Sequence, residues 1–475
     1  MRFRSPAAIA TTILAACALC LLGVGLAFGG PTTTVPPRLQ STAVDQHSLL
    51  ARPHQAGIQR RHPLMRQRRQ RARAESPLAR ARQARGAILL ARAVRVGGSG
   101  DRPHSAGGTK PQATRPTGFA GRPGGPAGES PATVAPVSPP PATGNGPSTL
   151  YWGASIGSHL TGVQAPWDMG AVTKFEQIAG KQVSLVNFFA PFANCASPPC
   201  SFYDFPTRPM ESIRAYGAIP VFSWSSQSIP SSRNEPDFQL ADVIAGTYDS
   251  YIREFATAAR NWGHPFFLRF NWEMNGSWFP WSEGINGNQS GEFIAAWRHV
   301  HDIFAAVGAD NVTWVWCPNV DPDGIFRDLA SLYPGDAYVD WTGLDGYNWG
   351  LHPAKPDRWR SFNDLYSTTY QRIVGSIAPD KPMLIGEIGS TEQGGSKANW
   401  IEEALTVIPT NYPKIRGLLW FDTYDDGMDW PIETSPSAAG AFAQAIQSPA
   451  YIAAGDPETS EGAIEPPEAL IEAPS

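Results

Sequence analysis

Eight short runs of β-favouring residues, set among helical patterns at intervals that suit βα units, place the strongest limit on what this chain can fold into. The runs cover residues 150–155, 183–189, 219–225, 266–271, 312–318, 341–347, 383–386 and 417–421. Between them lie amphipathic segments such as 248–262, 292–307, 362–377 and 400–408, several of which stop at Gly or Pro. Eight such units within about 300 residues predict one (β/α)8 barrel, an architecture for which about 250 residues is typical. A doubly wound open sheet would want a Gly-rich phosphate loop after its first strand, and none follows Trp152.

The barrel accounts for residues 150–451 of a 475-residue chain, and the charge shows that the rest differs in kind. Residues 1–149 carry 20 Lys plus Arg against 4 Asp plus Glu, a net of +16, whereas residues 150–475 carry 18 against 38, a net of −20. A basic arm therefore precedes an acidic body, and at least 14 of the 16 tryptophans lie in that body. So much aromatic mass excludes a disordered or coiled-coil protein.

Residues 1–30 read as a signal peptide or membrane anchor: a basic start, then 22 uncharged, mostly apolar residues from Ala7 to Phe28. Gly25 and Ala27 suit cleavage, Leu14-Ala15-Ala16-Cys17 weakly resembles a lipoprotein box, and the length also suits an uncleaved anchor; each places the body outside the cell. Residues 31–149, rich in Arg, Pro, Gly, Ala and Ser, read as a disordered linker whose arginines suit an acidic surface, with no nucleic acid expected. Residues 452–475 read as an acidic disordered tail. Cys195 and Cys200 bracket a short loop that a disulfide would close in an oxidising compartment, while Cys317 has no evident partner.

In such a barrel the chemistry gathers where strands end and βα loops begin. The fourth run is followed by Asn271-Trp272-Glu273-Met274-Asn275 and the seventh by Gly386-Glu387-Ile388-Gly389. Asp345-Gly346-Tyr347-Asn348-Trp349 follows the sixth, and Trp420-Phe421-Asp422 the eighth. Two carboxyls on one rim suit glycoside cleavage, which needs a proton for the leaving oxygen and a second carboxylate to attack the anomeric carbon or to activate water. Trp272 and Trp278 offer Glu273 apolar walls, and Arg269 lies one strand-turn deeper, where it would hold Glu387 charged.

These segments resemble glycoside hydrolase family 26, the β-mannanase family within the clan of retaining (β/α)8 glycosidases. The resemblance rests on the run from Arg269 to Trp281 with Glu273-Met-Asn-Gly-Ser-Trp278 inside it, on Asp345-Gly-Tyr347-Asn-Trp349 and on Gly386-Glu387-Ile-Gly. It implies Glu273 as acid/base and Glu387 as nucleophile. It also implies Tyr347 as hydrogen-bond partner of the nucleophile, Arg269 behind the acid, Trp278 near the cleaved bond and Trp420 as an aromatic at the end of the eighth strand. Family mannanases usually place His just before the acid/base, where this chain has Trp272. β-Mannan is the leading expected substrate; mixed-linkage β-glucan and β-1,3-xylan, on which other members act, stay open, as does a glycan-binding barrel without turnover.

Of the rim aromatics Trp224, Trp278, Phe279, Trp281, Trp349, Trp420 and Trp430, the reading selects Trp224, Trp278 and Trp420 as sugar contacts because they directly follow strand ends. Asn187 and Asn319 are expected either to meet sugar hydroxyls or to cap loops. No cofactor and no metal is expected: there is no CxxC pattern, and His299 and His301, two apart on a helix, face different ways. Gly153-Ala-Ser155-Ile-Gly157 has the letters of a nucleophile elbow, but no helix pattern follows it directly.

Overall fold

The computed structural model describes residues 147–351, 358–425, 427–453 and 462–468. The chain divides into two units, residues 1–43 and 44–475, and every described residue lies in the second. The leader and nearly all of the basic linker lie outside the described residues.

All eight expected runs form strands of one closed parallel barrel. They are β1 (Leu150–Ile156), β2 (Leu185–Asn194), β3 (Ile219–Ile229), β4 (Phe266–Phe270), β5 (Val312–Trp316), β6 (Trp341–Asn348), β7 (Met383–Ser390) and β8 (Ile415–Asp422). Each pairs in parallel with its successor, and β8 closes on β1. Two short strands sit at its margins: Ser201–Phe202 runs antiparallel to β2, and Tyr451–Ile452 adds to β1.

The covering helices are α1 (Gly170–Ala179), α2 (Thr207–Ala215), α3 (Asp249–Trp262), α4 (Glu292–Val307), α5 (Phe362–Arg372), α6 (Lys397–Asn411) and α7 (Pro436–Ala445). Their ends follow local chemistry: Ser361, Ser396 and Ser435 cap the starts of α5, α6 and α7. Gly180, Gly263 and Gly308 adopt the left-handed conformation that ends α1, α3 and α4. The fifth unit departs from the pattern, for the described residues between β5 and β6 hold two 3-10 turns, Leu329–Leu332 and Asp336–Tyr338, and no α-helix.

Two readings of flanking chain meet the structure. Cys195 and Cys200 are disulfide-bonded. The acidic tail needs correction, because residues 462–468 pack under the barrel, at the N-terminal ends of the strands. Ile464 is 5% exposed; its N–H donates to Thr313 Oγ1 at 2.8 Å, and its carbonyl accepts from Trp341 Nε1 at 2.8 Å. The Pro467 carbonyl accepts from Thr149 Oγ1 at 2.9 Å and also from Arg416. One apolar residue and a run of backbone groups dock there despite the poor overall apolar content of the tail, which composition alone does not show. Residues 454–461 and 469–475 lie outside the described residues.

Candidate active site

Strand register gathers the polar groups. β3 and β4 align Ser223 with Arg269, and β6 and β7, shifted by a bulge after Leu344, align Asp345 with Glu387. Arg269, fully buried, stands at the centre. Its Nη1 donates to Ser223 Oγ at 3.0 Å and Glu387 Oε1 at 3.2 Å, while Nη2 donates to Asp345 Oδ2 at 2.5 Å and the same Glu387 oxygen at 3.2 Å. Burial alone would lower the Arg269 pKa, but Asp345 and Glu387 raise it, so the cation is permanent. The tyrosine hydroxyl of Tyr347 donates to Glu387 Oε2 at 2.5 Å, and burial beside that carboxylate keeps the phenol protonated.

Glycine completes this packing. A Cβ on Gly386, just before Glu387, would stand 2.7 Å from both Arg269 Nε and Asp345 Oδ1, inside van der Waals contact.

Glu273 sits on the turn that leaves β4. Asn271 and Glu273 both have positive φ, 47° and 52°, a costly conformation for residues with a Cβ. Local hydrogen bonds hold the turn: Asn271 Oδ1 accepts from Ser226 N at 2.8 Å, and Glu273 N donates to the Cys317 carbonyl at 2.7 Å. The Glu273 carboxylate accepts from Trp278 Nε1 at 2.5 Å and Asn319 Nδ2 at 2.7 Å. Burial and the neighbouring Glu387 push its pKa up to about 7, against the pull of those donors.

Carboxylate oxygens of Glu273, Asp345 and Glu387 lie within 4.8 Å of one another. Above Glu273 and Glu387 opens a cleft of about 450 Å³ lined by Trp272, Trp278, Phe279, Asn319, Phe326, Tyr347, Trp349, Phe421, Asp425 and Trp430. Beside Phe421 and Asp425 lies a second, smaller hollow whose walls include Gln164, Asn187 and Thr423. An acid held near neutrality, a carboxylate gripped by a cation and a phenol, and a mostly aromatic trough suit acid-assisted displacement at a sugar carbon.

Of the residues selected from sequence, Glu273, Glu387, Arg269, Trp272, Trp278 and Tyr347 come together here. Trp272 is buried among Phe189, Phe279 and Trp281, with the Arg269 guanidinium 5.6 Å from its ring centroid. Trp224 and Trp420 do not reach the cleft. Trp224 stacks on Phe255 of α3 at 4.3 Å, and Trp420 meets Phe442 of α7 and Trp400 of α6, so both pack between barrel and helices. Strand alternation is the reason: their neighbours Ser223 and Phe421 take the inward side. Trp281 is likewise buried and donates to the Trp272 carbonyl. Asn187 donates to Ser155 Oγ at 2.7 Å and accepts from Ser223 at 3.0 Å, beneath the mouth.

The sequence pattern does not point to Phe326, Phe421 or Asp425 as contacts, nor to a role for Asp345. Asp345 is separated from Tyr347 by one residue of β6, and that shared parity was the available signal.

The sequence pattern of glycosyl hydrolase family 26 matches residues 223–391, from the inner face of β3 through the end of β7, and so contains both Glu273 and Glu387. Over these residues the chain is similar to this family. The chain is 35% identical over 308 residues to a protein named endoglucanase H from Acetivibrio thermocellus, covering 64% of this chain and 31% of that one. It is 30% identical over 182 residues to a mannan endo-1,4-beta-mannosidase of Bacillus subtilis, covering 37% of this chain and 44% of that one. A beta-1,3-xylanase TXYA of Vibrio sp is 29% identical over 112 residues, 22% of each chain. The chain thus spans less than half the length of each of these relatives.

Proposed function

We propose that this chain is a member of glycoside hydrolase family 26 and an exported endo-β-glycosidase that cleaves a β-linked plant-type polysaccharide by double displacement with retention of configuration. One observation carries the reading: carboxylate oxygens of Glu273 and Glu387 lie within 4.8 Å of each other under an open aromatic trough, in contrasting environments. A retaining pair stands about 5 to 5.5 Å apart, whereas an inverting pair leaves about 6.5 to 9.5 Å for water.

Glu387, hydrogen-bonded by Arg269 and Tyr347, attacks the anomeric carbon as the C–O bond to the leaving sugar breaks. Glu273 gives its proton to the departing oxygen. In the second step Glu273 takes a proton from water, whose oxygen bonds to the anomeric carbon and releases Glu387. The indole of Trp278, 36% exposed and bonded to Glu273, suits a contact to the sugars on either side of the cleaved bond.

For substrate, a glucan backbone, including the mixed-linkage form, takes first place and β-mannan second. The similarity to the relative named as an endoglucanase is longer and closer than that to the mannosidase, and Trp272 replaces the histidine of mannanases with an apolar wall. Mannose and glucose differ in the axial or equatorial 2-hydroxyl, so the two polymers ask for different partners beside the anomeric carbon.

The test is reducing-end release by the whole chain from mixed-linkage glucan, glucomannan, mannan and β-1,3-xylan, beside Glu387→Ala. The reading expects release from at least one polymer and none from the variant. Binding to a polymer with no cleavage in the native protein would replace it with a non-catalytic glycan-binding barrel. The arginine-rich arm belongs to the same proposal as a tether toward an acidic surface.

A further inference from the structure

Asp345 makes and breaks no bond in the steps above, yet it is fully buried and touches the same cation as Glu387. The dry block below the cleft holds one permanent positive charge, Arg269, among three carboxyls: Asp345, Glu387 and Glu273. Resting on the glycosidase reading, we propose that Asp345 is a positioning residue. By occupying one side of the Arg269 guanidinium, it keeps that cation from neutralising the glutamate pair, and so keeps a proton on Glu273 for the leaving group.

The contacts show how the charge is shared. Nη2 of Arg269 lies 2.5 Å from Asp345 Oδ2 but 3.2 Å from Glu387 Oε1, so the shorter ion pair is with Asp345. The other Asp345 oxygen accepts from the Cys317 thiol at 3.2 Å, and burial beside Asp345 keeps that thiol neutral. From α5, Tyr366 turns its hydroxyl to the backbone carbonyls of Gly346 and Glu387 and adds no charge. From β3, Ser223 gives Arg269 a neutral acceptor.

Arg269 and Asp345 therefore form a nearly neutral pair. The charge of Glu387 remains uncompensated except for the weaker guanidinium contacts and the Tyr347 phenol. Burial, with Glu387 and Glu273 nearby, pushes the Asp345 carboxyl well above its usual range while Arg269 pulls it back; the 2.5 Å contact with the permanent guanidinium charge is what favours the pair as ions. The cost of a further charge then falls on Glu273, whose donors, Trp278 and Asn319, are both neutral. Asp425 on the β8 loop lines the same cleft. Gly386 permits this close approach, since a Cβ there would crowd both Arg269 and Asp345.

Replacing the Asp345 carboxylate by an amide frees one full positive charge a few ångströms from the glutamates, which lowers a carboxyl pKa by about one to three units. The experiment is a carbon-13 carboxyl NMR titration of the full chain labelled at Glu, with Glu273 assigned by its loss in Glu273→Gln. In Asp345→Asn the Glu273 titration should move down by about one unit or more, and in Asp345→Glu it should stay near the native position. An unmoved Glu273 in folded Asp345→Asn overturns the proposal, because a merely structural role predicts that result.

Should Asp345→Asn not fold, the native protein labelled at Asp decides. Asp345 must stay ionised across the range in which Glu273 titrates, and an Asp345 that takes up a proton first overturns the proposal. Neither readout needs turnover, so failure here is distinct from failure of the glycosidase reading, which the polymer panel settles.

Discussion

At the residue scale the two glutamates separate by stereochemistry. Glu387→Ala removes the atom that bonds to the anomeric carbon and should lower turnover by roughly a thousandfold or more. Azide should then restore cleavage from the opposite face and give the inverted glycosyl azide. Glu273→Ala should hurt substrates with poor leaving groups most, and azide there should give the retained product. The same stereochemistry from both variants, read by proton NMR of the azides, would remove the assignment. The pH profile supplies a second check. Glu273 must be protonated to act as acid, and its pKa is held up to about 7, so kcat/KM should fall as pH rises through about 7. Trp278 donates to the ionised form, and Trp278→Phe should move that alkaline limb upward by less than about one unit. A limb that moves down instead would mean that the indole serves the neutral acid. Both glutamates were legible because acids framed by Gly, Asn and aromatics at strand ends are rare. Asp345 is not legible in the same way, since nothing in one sequence says that a cation two strands away needs a second partner.

At the element scale the strands were legible almost to the residue, but their inward faces were not. Barrel strands are apolar on both sides, so Trp224 and Trp420 read as rim aromatics when each faces the helices. The small polar residues beside Trp224, Ser223 and Ser225, mark the inward parity, because only that side meets the Arg269 network. Trp224→Ala should accordingly cost about 3 to 5 kcal/mol in a denaturant titration and leave KM of the folded enzyme unchanged. A raised KM at native stability would return Trp224 to the cleft.

A second pairing of elements joins the loop after β1 to the exit of β8. His159 Nε2 lies 2.6 Å from Glu433 Oε1 and 3.3 Å from buried Asp422 Oδ2. Burial would lower the His159 pKa, but the two carboxylates outweigh it and hold it at about 9. A folded pKa above the unfolded value of about 6.5 contributes stability that is complete below about 6.5 and is lost as pH rises through about 9. The native protein should therefore exceed His159→Gln in Tm by about 2 to 4 °C at pH 6, and the gap should close by pH 10. A constant gap would assign His159 to packing alone.

At the scale of the whole molecule, the docked segment 462–468 changes what truncation should do. Ending the chain at residue 453 would uncover Trp341 Nε1, Thr313 Oγ1 and the apolar patch under Ile464, so Tm should fall while kcat at low temperature holds. Unchanged Tm would show that the segment adds nothing. Removing residues 1–146 should leave turnover on a soluble polymer unaltered. The same docking has a directional result. Thr149, where the chain enters β1, is hydrogen-bonded to Pro467, near where the described chain ends, and both lie roughly one strand length from the glutamates. The chain thus enters the barrel, and its docked segment lies, on the face opposite the trough, so that the mouth is bordered by neither.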